Sequence, residues 1–117
     1  MNHHAANMTA NKQPLIRSHD AAVVDMLRAD PDFASEYLAA ALEEADEPGG
    51  QAALLAALRH VAEAQGMAAV AERAGIPRES LYRALSPKGN PTIKTLLAVL
   101  SAAGLHLAVA RHDSAHA

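Results

Sequence analysis

The chain is 117 residues long, one domain's worth of sequence, and half of it is hydrophobic although its aromatics are only Phe33, Tyr37 and Tyr82. Abundant alanine with so few aromatics favours helices over sheets, and the absence of cysteine excludes a disulfide scaffold, thiolate zinc sites and cysteine nucleophiles, in keeping with a reducing cytoplasm. The formal net charge of −3 conceals an asymmetry: Asp20 to Pro48 holds nine acids against the single base Arg28, a balance of −8, whereas Gly66 to Leu96 holds five bases against two acids, a balance of +3.

Residues 1–14 are polar and unpatterned and end at Pro14; they are expected to form a disordered tail, as are residues 113–117. No basic run followed by an apolar stretch opens the chain, and no segment approaches about eighteen unbroken apolar residues, so neither a signal peptide nor a membrane span is expected. A first helix is predicted from Asp20 to Ala29, with Val23 and Leu27 one turn apart. Asp30-Pro31 then supplies a capping side chain followed by a proline at the first helical position. The helix it opens is predicted to reach Ala45, with Phe33, Tyr37, Leu38, Ala41 and Leu42 on its apolar stripe, and Pro48-Gly49-Gly50 breaks it.

A third helix carries Leu54, Leu55, Leu58, Val61 and Ala62 on one side and stops at Gly66. Gly75-Ile76-Pro77 interrupts an apolar pattern (Val70, Ala71, Ala74) that resumes at Leu81, Ala84 and Leu85, which predicts two short helices joined by a tight turn. Asn90-Pro91 repeats the cap-then-proline signature and opens a sixth helix, with Ile93, Leu96, Leu97 and Leu100 inside and Gly104 just past its end. Finally, Leu105, Leu107 and Val109 alternate with His106, Ala108 and Ala110, the period of a half-buried strand. A lone strand leaves an unpaired edge, and its natural mate is the same strand of a second copy.

Residues 67–86 fit a helix-turn-helix template. Ala71 is small enough for close helix crossing, Gly75 allows the left-handed turn, and Ile76, Leu81 and Leu85 plug the second helix into the core. Left outward are Arg78, Glu79, Tyr82, Arg83 and, just beyond, Ser86. Arginine suits a guanine edge, glutamate accepts from cytosine, and tyrosine and serine take phosphates. Lys88 and Lys94 flank the motif, and Asn90, Thr92 and the free amides of the following helix suit a backbone phosphate. Against this stand plainer readings: Glu79 and Arg83 as a surface i,i+4 ion pair of about 0.3–0.5 kcal/mol, Asn90-Pro91 as a simple cap, and the acidic stretch as a solvated face. The chain is thus divided into N-terminal acidic helices over 15–48 and a helix-turn-helix DNA-binding domain with its C-terminal strand over 49–112.

Tyr37-Leu38, Ala41-Leu42-Glu43-Glu44-Ala45-Asp46, Ala57-Leu58, Gly66-Met67, Leu81-Tyr82-Arg83-Ala84-Leu85-Ser86, Gly89-Asn90-Pro91 and Gly104-Leu105-His106-Leu107 together resemble the addiction-module antidote family. These are HigA-like antitoxins with a phage-repressor (lambda-repressor-like) helix-turn-helix, and the likeness covers roughly residues 20–110. The resemblance implies an all-α fold with extra N-terminal helices and a short C-terminal strand. It also implies a homodimer that represses its own promoter at a double-stranded DNA operator, and a small basic toxin partner of the RelE and HigB ribonuclease superfamily. The acidic stretch would then compete for side chains that a basic ribonuclease uses to hold RNA phosphates. Rival readings are a solitary prophage-type transcriptional regulator and a protein-interaction module without DNA binding.

Other chemistries find little support. The histidines His3, His4, His106, His112 and His116 lie in expected tails or on a strand face, so that even His112 and His116, four apart beside Asp113, are not on a helix, and no metal is expected. Asp20, Asp25 and Asp32 have no nucleophile or oxyanion partner in view, no glycine-rich phosphate loop is present, and the aromatics are too few for a stacking platform; neither catalysis nor a cofactor is expected.

Overall fold

The computed structural model describes residues 14–111, and side chains from His19 onward; of the tails expected over residues 1–14 and 113–117, all but Pro14, which is helical, lie outside the described residues. Six helices follow one another: α1 (Pro14–Ala29), α2 (Phe33–Glu43), α3 (Gly50–Gln65), α4 (Met67–Ala74), α5 (Arg78–Ala84) and α6 (Ile93–Ala102). The fold is all-α, and among the described residues there is no strand.

The helix α3 is central. Both α1 and α2 pack on it from one side, while α4 leaves its C-terminal end to pack against α5 and α6. Leu27, Leu38, Leu55, Leu58, Val61, Met67, Val70, Leu81, Leu85, Val99 and Leu100 form a single continuous core. Leu81 is fully enclosed, at 0% exposure, and a Leu side chain buried from water contributes about 1.5–3 kcal/mol. This enclosure fixes α5, which has only seven residues and could not be stable alone.

Three boundaries differ from expectation. The first helix begins at Pro14 rather than near Asp20, because a proline at the first helical position lacks only an N–H that would be unpaired anyway. The second begins at Phe33 and ends at Glu43; the Asp30 carbonyl, not its carboxylate, accepts from the Phe33 N–H at 3.0 Å. The last begins at Ile93, capped by Thr92, whose hydroxyl accepts from the Thr95 N–H at 3.1 Å; Asn90 and Pro91 precede the cap. Asn90 does not fill that role because the helix starts two residues later than expected, and Thr92, extended at φ −69° and ψ 163°, is the oxygen-bearing residue just before its first turn.

Two expectations about burial fail at the C-terminal end. Of the four side chains expected inside, Leu96 and Leu100 face the core, joined by Val99 and Ala103, but Ile93 and Leu97 are 70% and 46% exposed. This helix is apolar on two sides, so periodicity alone did not choose between them. The predicted strand over 105–110 does not form within the chain. Leu105 packs on the core and donates its N–H to the Leu100 carbonyl at 2.8 Å, but beyond it the chain is exposed and without regular structure to Arg111. A strand needs a hydrogen-bonding neighbour, and no described segment offers one.

Candidate nucleic-acid interface

The turn between α4 and α5 has a definite chemistry. Gly75 takes φ +71°, donates its N–H to the Glu72 carbonyl at 3.1 Å, and the following Ile76 donates to Ala71 at 3.0 Å. These are the paired bonds of a Schellman motif, which ends α4, requires the left-handed region and drops Ile76 onto the core. Pro77 then opens α5 with extended backbone (φ −58°, ψ 141°), and Leu81 and Leu85 anchor it.

That anchoring determines what points outward. Arg78, Glu79, Tyr82 and Arg83 are all exposed on α5, and the Arg78 guanidinium lies 5.6 Å from the centre of the Tyr82 ring. An exposed cation–π contact of this kind is worth about 0.5–1 kcal/mol, enough to bias the arginine without immobilising it. Glu79 and Arg83 do not form an ion pair among the described residues, so the bland reading of that pair is not realised. Ser86 is half-buried, and its hydroxyl donates to the Arg83 carbonyl at 2.9 Å, closing the end of α5.

After Ser86 the chain folds tightly back. The Gly89 N–H donates to the Ser86 carbonyl at 2.8 Å, and a Cβ at Gly89 would stand 2.1 Å from the Ala84 carbonyl oxygen, so only glycine fits against α5. The loop leaves Lys88, Asn90 and Thr92 exposed, and Lys94 is exposed in the first turn of α6, although the Thr92 hydroxyl is engaged as the cap of that helix. The nine residues named from sequence therefore lie along 78–94, eight of them exposed.

The structure also engages one of the five bases between Gly66 and Leu96 within the fold. Arg73 donates through Nε to the Ala102 carbonyl at 2.8 Å and through Nη2 to Gln65 at 3.0 Å, while Gln65 donates to the Ala103 carbonyl at 2.9 Å. Arg59 likewise donates to the Leu85 carbonyl. Both arginines satisfy carbonyls at helix C-termini, where donors and positive charge are favoured. Their positions carry no sequence signature beyond a base on a helix that meets another helix's end.

A second feature went unread in the sequence. His60, 5% exposed, receives at Nδ1 a hydrogen bond from the Tyr37 hydroxyl at 2.8 Å and donates from Nε2 to Asp20 Oδ1 at 2.9 Å. The carboxylate can only accept, so Nε2 carries a proton, and Nδ1 accepts from the hydroxyl when the ring carries that proton alone. Burial pushes the Tyr37 hydroxyl above its ordinary range, the Asp20 charge adds to this, and the Arg59 charge opposes it. A phenol held in its neutral form is not an activated nucleophile, and the trio is read as a structural relay joining α2, α3 and α1. Among the described residues, no three metal-ligating side chains gather.

Comparison with known proteins bears on most of the chain. The family model described as "Probable addiction module antidote protein" matches residues 17–111. The chain belongs to that family of addiction-module antidotes. A curated relative of this antidote, an uncharacterized protein from Haemophilus influenzae strain Rd, is 46% identical over 56 residues, 48% of this chain and 58% of the relative. This antidote thus spans a little over half the length of the curated relative it matches. No solved structure matches it. Among the described residues, no helix is long and apolar enough to cross a membrane.

Proposed function

We propose that this antidote is the antitoxin of a type II toxin–antitoxin module, neutralising a small basic ribonuclease of the RelE and HigB kind and repressing its own operon by sequence-specific binding to duplex DNA. The observation that carries the DNA reading is the disposition of α5. Leu81 and Leu85 fix the helix from within while Arg78, Glu79, Tyr82 and Arg83 stand free on its outer side. A phage-repressor type of helix-turn-helix presents its second helix in this way, with side chains near its N-terminus reaching base edges in the major groove. Arg83, Lys88 and Lys94 add positive charge along the same stretch, in keeping with phosphate contacts on either side.

The repressor is read as a homodimer. Ile93 and Leu97 on α6, with Leu107 and Val109 beyond it, are the large apolar side chains most in need of cover near the C-terminus, at 70%, 46%, 41% and 101% exposure. The alternating segment 105–110 suits antiparallel pairing with its own copy. Such a dimer would bind a pseudo-palindrome whose half-sites are about 34 Å apart.

The test is a gel shift on the upstream region of the gene, with random duplex as comparison. Arg78→Ala should relax base preference, with a loss of about 1–3 kcal/mol on operator and little on random DNA. Lys94→Ala should weaken both duplexes alike and flatten the salt dependence by about one phosphate. Equal losses on both duplexes for the two variants contradict the division of labour, and no shift with wild-type protein refutes the repressor reading.

A further inference from the structure

We infer that the corner where α1 passes into α2 is the docking face for a cationic segment of a partner protein, which seats one aliphatic side chain between α1, α2 and α3. The inference rests on the antitoxin reading above and names the face by which the toxin would be held.

A cleft of about 110 Å³ opens at this corner, lined by Leu27, Arg28, Pro31, Ala34, Val61 and Ala64. Its floor is apolar and firmly packed, since Leu27, Ala34 and Val61 belong to the core. The space arises because Ala34 and Ala64 are short where α2 and α3 face each other. It accommodates a single aliphatic side chain and is far smaller than the pockets of roughly 300 Å³ or more that enclose cofactors and drug-sized ligands.

The rim is acidic. Asp30 and Asp32 are exposed on either side of the lining Pro31 in sequence, and Asp25 is exposed beside Arg28, the one base among these residues. Arg28 itself shows what the mouth of the cleft accepts. Its guanidinium donates to the Glu63 carbonyl at 3.3 Å and lies 3.7 Å from Asp25 while remaining 58% exposed, so a cation already rests there on long contacts. Such a surface pair is worth little and is easily exchanged for an incoming lysine or arginine. The charge also decides among occupants: phosphates are repelled, and a second copy around a two-fold axis would set this acidic corner against itself. A basic protein segment remains.

The experiment uses the full chain and the protein encoded by the adjacent small gene, titrated by calorimetry at physiological salt. Asp30→Lys with Asp32→Lys is expected to weaken binding about tenfold or more, and Ala64→Leu, which fills the cleft, by a similar factor. Glu43→Lys with Glu44→Lys makes the same charge change at the other end of α2 and should move affinity by less than about threefold. Arg28→Ala should bind at least as tightly as wild type. Melting curves establish that each variant folds, and the exposed Asp30 and Asp32 positions keep the test valid should Ala64→Leu not fold.

Equal losses from the two charge reversals would overturn the inference and leave the antitoxin reading standing. So would a tenfold loss in Arg28→Ala, or an Ala64→Leu variant that binds normally or loses its own oligomeric state instead. If the wild-type chain does not bind the adjacent protein at all, the antitoxin reading fails and this inference falls with it.

Discussion

The N-terminal and C-terminal halves join their helices in different ways. In the first, α1, α2 and α3 add to their apolar contacts, Leu27, Leu38, Leu58 and Val61 among them, a polar relay in which Asp20, His60 and Tyr37 hydrogen-bond in series. In the second, α4, α5 and α6 meet through apolar side chains at their centre and through guanidinium groups at their ends, where Arg59 and Arg73 hold the Leu85 and Ala102 carbonyls. The contrast matters for function because it determines which charges are left for partners. Of the nine acids between Asp20 and Pro48, the relay uses Asp20, and the others stand at the surface apart from the loose Asp25–Arg28 pair. Of the five bases between Gly66 and Leu96, Arg73 is tied to the Ala102 carbonyl and Gln65 and four are left outward. A charge balance read from sequence is therefore an upper bound on what a surface offers, and the bound is close to realised in both halves.

The sharpest way to break this comparison is at Leu81. If the C-terminal half depends on apolar contact, Leu81→Ala should cost about 2–5 kcal/mol, the range for emptying an enclosed leucine site. Met26→Ala, at a position 48% exposed in the N-terminal half, should cost about 0.5 kcal/mol or less. Urea denaturation followed by circular dichroism measures both, and the Leu81 variant should lose its gel shift first on warming. Equal costs at the two positions would mean that α5 is not held by its buried face.

The relay offers a test of intermediate size and with a pH signature. Tyr37→Phe removes the donor to His60 Nδ1 and should cost about 1–3 kcal/mol near neutral pH, since it leaves a buried acceptor unmet. The hydroxyl's affinity for its proton is raised above the ordinary 10.0 in the folded chain, by burial first and the Asp20 charge second. A raised value means that the folded state keeps a proton the unfolded state has released. The contribution is therefore complete below pH about 10 and is lost as pH rises through the higher folded value. The stability gap between wild type and Tyr37→Phe should accordingly narrow in alkali. A gap that stays constant across that range would show that the phenol is not held neutral by its surroundings.

Much of the C-terminal half was legible in the sequence because local rules act there. Gly75 and Gly104 sit where helices must end, Leu81 and Leu85 recur at helical spacing, and the polar residues between them had only the outside left. What escaped notice was long-range. His60 joins residues 40 and 23 positions away, and Arg59 and Arg73 reach carbonyls 26 and 29 positions away, so no window of sequence contains both partners. Ile93 and Leu97 were misplaced for the opposite reason: α6 is apolar enough to bury either side, and only the position of α4 decides. The cleft at the α1–α2 corner is likewise invisible until three helices are brought together, although the acids that rim it were evident from composition.

The smallest expected effect separates two helix starts that look alike in sequence. Asp30-Pro31 and Asn90-Pro91 both read as a cap followed by proline, yet the structure uses a side-chain cap only at α6, where Thr92 accepts from the Thr95 N–H. The carboxylate of Asp32, before α2, makes no such bond. Thr92→Ala should therefore cost about 1 kcal/mol, the usual consequence of losing a capping oxygen. Asp32→Ala should cost only the screened attraction between a carboxylate and a helix N-terminus, about 0.3 kcal/mol, and that fraction should vanish in high salt. Thermal melts at low and high salt separate the two, because loss of a hydrogen bond persists in salt whereas loss of a charge effect does not. A salt-sensitive cost of equal size at both positions would show that the two helices begin by the same means, and that the acids of the N-terminal half hold the fold together rather than standing free for a partner.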